Sequence, residues 1–158
     1  MPGTFASGIN PALIARHVPA RARSLPEAQS GGVLIRASLP GEPISVNHLY
    51  VNVPGKGRVL SQEGKTWKLV ALHNLLALNL PRLPAREYAV RYQFHGCWRT
   101  LKGVPRVRDT ENQFKGLNDV LAAVLGIDDK WFFAVSGEKY HVHTAPHIEI
   151  EVRLWGPE

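Results

Sequence analysis

Glu87-Tyr88-Ala89-Val90-Arg91-Tyr92-Gln93-Phe94-His95-Gly96-Cys97-Trp98-Arg99 alternates more cleanly than any other part of the chain. Tyr88, Val90, Tyr92, Phe94 and Trp98 fall on one side, and Arg91, Gln93, His95 and Arg99 on the other. Successive strand side chains point to opposite faces, so this period of two in aromatic and β-branched residues predicts a half-buried strand. Its inner face needs an apolar cover, and two flanking segments supply one. From Ser61 to about Asn79, Trp67, Val70, Ala71, Asn74, Leu75 and Leu78 recur at helical spacing, with Ser61 as N-cap and Pro81 as the stop. From Asp109 to about Leu125, Phe114, Leu117, Leu121 and Val124 form a second stripe, with Asp109 as N-cap and Gly126 at C′.

Further out, Val33 to Leu39 reads as a strand, and Pro40-Gly41-Glu42-Pro43 turns the chain. Leu49 to Val53 and Arg58 to Leu60 flank Pro54-Gly55-Lys56-Gly57, which predicts a hairpin or a basic loop. Trp131 to Val135 and Lys139 to His143 read as strands about a Ser136-Gly137 turn, and His147 to Trp155 alternates as a last strand. This order predicts an α/β (α+β) fold, a mixed β-sheet with two main helices packed on it. The domain is expected over residues 33–158. Residues 1–32 read as a flexible basic N-terminal extension, rich in Pro, Ala, Ser and Gly, carrying Arg16, Arg21 and Arg23.

The 158 residues fit one domain with its own core. A single cysteine, Cys97, excludes an internal disulfide and a thiolate zinc site. The formal charge is +6 and the pI about 9.8, a balance that favours polyanionic partners such as nucleic acid. No apolar run approaches the roughly 20 residues of a membrane span. A cytoplasmic location is expected, with no membrane partner. Ser61 and Ser136 lack a nucleophile-elbow context and Cys97 lies mid-strand, so nothing argues for covalent catalysis.

The acidic residues gather around the second helix. Arg108-Asp109-Thr110-Glu111-Asn112-Gln113-Phe114-Lys115 opens it, and Asp128-Asp129 follows it. Two or three carboxylates can hold Mg²⁺, a hard ion that prefers oxygen ligands and keeps several waters. Glu111 and Lys115 are four apart and so neighbours on a helix. The same residues also suit a plainer reading, an acid-capped helix, a surface ion pair and an Asp-rich turn, and spacing alone favours it. His141, His143 and His147 have zinc-compatible spacing, but no further ligand is evident, and solvent-exposed strand histidines are the preferred reading.

At these residues the sequence resembles the RusA family of Holliday-junction resolvases, small phage-derived endonucleases. That family carries Arg-Asp-x-Asp-Asn-x-x-Lys, then a helix, then an Asp-Asp pair, here Arg108 to Lys115 and Asp128-Asp129. Upstream it has Pro-x-Ser-x-Asn, a basic hairpin and a Ser-x-Glu-Gly helix start. Here these are Pro43-Ile44-Ser45-Val46-Asn47, Lys56 with Arg58, and Ser61-Gln62-Glu63-Gly64. The resemblance runs from about residue 33 to the end. It implies a bacterial or phage-derived homodimer that nicks four-way DNA junctions with Mg²⁺, or Mn²⁺ as an alternative, and no small-molecule cofactor. It implies Asp109, Glu111 and Asp129 as metal-binding acids, Asp128 as the alternate to Asp129, and Lys115 as the essential lysine. Lys56, Arg58, Lys65, Arg106 and Arg108 are the expected DNA contacts. Glu111 stands where the family usually has Asp, and the spacing to the Asp-Asp pair is one residue shorter than in the best-known member.

Overall fold

The alternating stretch folds as a central strand of a four-stranded sheet in a computed structural model that describes residues 32–156. The expectation for the N-terminal extension therefore concerns residues outside those described, apart from Gly32. The elements are β1 (Val33–Pro40), α1 (Val46–Leu49), β2 (Tyr50–Val53), β3 (Gly57–Leu60), α2 (Gln62–Leu76), β4 (Tyr88–Gly96), α3 (Phe114–Leu125), β5 (Phe132–His141) and β6 (His147–Leu154). Short 3-10 turns, Glu111–Gln113 and Asp129–Trp131, bracket α3. The sheet order is β1-β6-β4-β5. β6 runs antiparallel to both β1 and β4, while β4 and β5 are parallel. This is the mixed sheet of an α+β domain, with β2 and β3 as a separate hairpin.

One face of the sheet holds the core. Tyr88, Val90, Tyr92 and Phe94 of β4 lie beside Ile148, Ile150 and Val152 of β6 and Ile35, Ala37 and Leu39 of β1, all buried. Leu75 of α2 and Leu117, Leu121 and Leu125 of α3 cover them. Phe114, at the start of α3, stacks on Tyr92 and Phe94 with ring centroids 5.8 and 6.3 Å apart, which pins that helix end to β4. Complete burial of one such side chain contributes about 1.5–3 kcal/mol. The opposite face is polar and laced with ion pairs, among them Arg36 to Glu151 at 3.3 Å and Arg91 to Glu138 at 2.8 Å. A sheet with one covered and one wet face explains the period of two.

Three local expectations change. The Ser136-Gly137 turn does not exist: β5 runs straight through it in register with β4, Arg91 opposite Ser136 and Tyr92 opposite Gly137. Glycine is there because a Cβ would come within 2.7–2.8 Å of Phe114, Phe94 and Thr110, not because the chain reverses. In α2, Val70 is 42 % exposed, so the buried stripe is Gly64, Ala71 and Leu75, with Trp67 beside it and Leu78 just beyond the helix end. The third change concerns the start of α3. Asp109 caps nothing, the first turn is 3-10 from Glu111, and the α-helix begins at Phe114.

Ser61 does cap α2. Its Oγ accepts from Gly64 N at 2.8 Å and donates to His48 O at 2.5 Å. Gly64 presses on the backbone there, since a Cβ would lie 2.4 Å from Leu49 O. Gly64→Ala is therefore expected to lower stability by about 1–3 kcal/mol despite alanine's better helix propensity. Thermal unfolding tests this, and an unchanged or raised Tm would show that α1 gives way freely. Among the described residues no helix is long and apolar enough to cross a membrane.

Candidate active site

Parallel strands cannot be joined by a tight turn, so β4 reaches β5 through a long crossover. That crossover carries every predicted acid. It leaves β4 at Trp98, whose buried ring anchors it through Nε1 to Phe94 O at 2.7 Å. The loop beyond folds back on itself: Thr100 N donates to Val104 O at 2.8 Å and Arg106 N to Trp98 O at 2.8 Å. Arg108 is then tied down by Glu42 at 2.8 Å, and the Lys139 ammonium of β5 donates to the Arg108 carbonyl.

Asp109 and Glu111 follow, both exposed, on the wall of an open cleft of about 550 Å³. Asn112 reaches Asp109 Oδ2 at 3.4 Å, and Val135 to Gly137 of β5 form the far wall. Asp109 also borders a second cleft with Ser45, Asn47 and Glu63. The two upstream motifs and the acidic motif, far apart in the chain, thus meet around Asp109. Gln113, which borders the second cleft, is buried, with Oε1 lacking a hydrogen-bond partner. Sequence reasoning missed it, because nothing in its spacing separates it from an exposed first-turn residue.

Lys115 joins the two ends of α3. Its ammonium donates to Asp119 at 2.7 Å and to Asp129 at 3.2 Å. The expected Glu111–Lys115 neighbours are not paired, because Glu111 sits in the 3-10 turn, out of α-helical register with Lys115. Asp119, also missed, holds Lys68 of α2 as well, at 2.6 Å. Its signal was its position four residues after Lys115. The hydrogen bond from Lys115 to Asp119, aided by Asp129, raises the Lys115 pKa and keeps it cationic. Burial pushes the Asp119 carboxyl up, but the bonds from Lys115 and Lys68 outweigh it and leave the pKa below the usual carboxylate range.

The neighbouring acids are used differently. Asp128 accepts from Lys130 N at 3.0 Å as the cap of the second 3-10 turn, and that bond lowers its pKa. Asp129 instead faces Lys115. Asp109, Glu111 and Asp129 do not all close to within 4.8 Å of one another. Among the described residues the group that does is His95, His147 and Glu149. Of the predicted DNA contacts, Lys56, Arg58, Lys65 and Arg106 are exposed. Arg58 rides over the Tyr50 ring at 4.8 Å, and Arg108 is held by Glu42.

A basic α+β domain that gathers carboxylates, a clamped lysine and exposed cations around one crossover has the parts of an enzyme acting on phosphodiesters. Residues 40–153 match the family Endodeoxyribonuclease RusA, and the chain belongs to that family of Holliday-junction resolvases. No curated protein matches the chain.

Proposed function

We propose that the protein is a homodimeric, Mg²⁺-dependent endonuclease that resolves Holliday junctions by paired nicks during recombination and repair, leaving 5′-phosphate and 3′-hydroxyl ends. Residues 33–158 are the endonuclease unit of this reading. The observation that carries it is the contact from Lys115 to Asp129, which brings the acid beyond α3 back to the motif before it.

The donor chemistry suits the ion, and the three carboxylates must draw together to share it. Asp109, Glu111 and Asp129 offer hard oxygens, the ligand type Mg²⁺ prefers, and these three would hold it. Such an ion, when bound, polarises a phosphoryl oxygen and lowers the pKa of its water. Mn²⁺ is an alternative, since Glu111 is one methylene longer than the Asp usual in the family. Lys115, cationic at any working pH, donates to a non-bridging oxygen of the scissile phosphate and stabilises the charge that develops there. Arg106 and Arg108, just before Asp109 on the crossover, hold the DNA backbone. Lys56 and Arg58 on the β2–β3 hairpin, with Lys65 on α2, extend that hold.

A labelled four-way junction tests the proposal. Paired nicks are expected with Mg²⁺ or Mn²⁺ and none with EDTA, against little cleavage of flaps or linear duplex. Binding should weaken steeply with salt, because each phosphate contact releases counterions. Absence of nicks with either metal would support a second reading, a branched-DNA-binding module without catalysis, which the open spacing of the carboxylates favours. Faster cleavage of flaps would make it a nuclease for other branched DNA.

A further inference from the structure

The polar face of the sheet carries a cluster that the nuclease reading does not use. His95 of β4 and His147 of β6 are register partners across the antiparallel pair. Glu149 lies two residues beyond His147 and so shares its face. The two imidazoles stack with centroids 4.4 Å apart and planes within 5°. His95 Nε2 lies 3.8 Å from Glu149 Oε2, and His147 Nε2 lies 4.0 Å from Glu149 Oε1. We propose that His95, His147 and Glu149 form a transition-metal site of the zinc class on the open face of the sheet, separate from the acidic crossover.

The buried His95 nitrogen favours a metal site over a loose ion pair. Both nitrogen–oxygen distances exceed any hydrogen bond. His95 Nε2 is nevertheless buried and has no hydrogen-bond partner, an expensive state for a polar atom. An ion among the three donors removes that cost. With Zn–N and Zn–O bonds of about 2.0–2.2 Å, tetrahedral ligand atoms stand roughly 3.3 Å apart, so the donors must close from their present spacing within 4.8 Å and the stacked rings must turn until both Nε2 lone pairs face the ion.

The surroundings already brace both rings. His147 Nδ1 lies 3.3 Å from Ala145 O, the carbonyl contact that fixes the tautomer of a ligating histidine and leaves the Nε2 lone pair free. Tyr140 stacks on His95 at 4.9 Å, and its hydroxyl is held by Glu138 at 2.5 Å. Two imidazoles with one carboxylate select zinc-like ions over Mg²⁺ and leave a fourth position for water or an outside donor.

Cobalt substitution tests the site without reference to cleavage. Metal-free full-length protein titrated with Co²⁺ is expected to show the intense visible bands of one tetrahedral ion per chain, distinct from the weak bands of any octahedral ion at the acidic crossover and bleached by Zn²⁺. His147→Gln and Glu149→Gln should each weaken binding at least 10-fold, since both side chains are partly exposed and their replacement leaves the core intact. Asp109→Asn and the pair His141→Ala with His143→Ala should leave the bands unchanged. Absent bands in the wild type, bands that survive both His147→Gln and Glu149→Gln, or bands lost only in the His141/His143 variant would each overturn the proposal.

Discussion

Asp109→Asn is expected to lower junction cleavage by about 10²–10³-fold, the scale on which an essential charged group is lost, while junction binding in EDTA persists. The substitution keeps size and shape and removes only the charge. Asp109 is exposed and contacts Asn112 at 3.4 Å, so the fold does not depend on its ionisation. Removing a negative charge beside Arg106 and Arg108 should leave binding equal or tighter, with the same dependence on salt. The measurement is a single-turnover cleavage rate beside a binding isotherm on one junction. Cleavage within a few-fold of wild type would remove Asp109 from the metal site, and lost binding would recast it as a structural residue.

The second large effect belongs to Lys115. Lys115→Met should lower cleavage by about 10²-fold or more and also destabilise the domain, because Asp119 and Asp129 lose a shared partner. The two losses separate by pH. Lys115 is raised in the folded state, so its stabilisation is fully present below an unfolded lysine pKa of about 10.4 and disappears as pH rises through the folded value. Asp119 is lowered, so its share is fully present above an unfolded carboxyl pKa of about 3.9 and disappears as pH falls through the folded value. The stability gap between wild type and Lys115→Met is therefore expected to stay roughly level from about pH 4 to 10 and to shrink outside that window. Asp119→Asn serves as the comparison, keeping the ammonium and its contact with Asp129. Equal cleavage losses in Asp119→Asn and Lys115→Met would mean that Lys115 acts through the fold rather than on the phosphate.

What the sequence made legible was local. The alternation of β4 and β6, the Ser61 cap, the Gly126 helix end and the basic hairpin each depend on neighbours a few residues away, and each appears where its pattern placed it. What it concealed depends on strand order. Ser136-Gly137 carries ordinary turn chemistry, and only the parallel docking of β5 against β4 and Phe114 makes it a strand interior. Lys115 has acids four residues away on both sides, and the choice of Asp119 over Glu111 follows from a first turn wound as 3-10. The motif order pointed to the family, yet the return of Asp129 to Lys115 had no local signature. His147 was read with His141 and His143, whereas its cross-strand partner, His95, lies in the alternating stretch itself.

The parallel pairing of β4 with β5 also bears on when the protein becomes able to cut. Local helices and hairpins close short loops and form early, whereas a parallel pair must first bring together segments separated by a long connection. The cleft beside Asp109 and Glu111 gains its β5 wall only through that closure, so the proposed site is expected to be completed late in folding. A nascent or partly melted chain keeps its cations, and is therefore expected to hold nucleic acid before the proposed acids are in place. Competence to bind is thus expected to precede competence to cut.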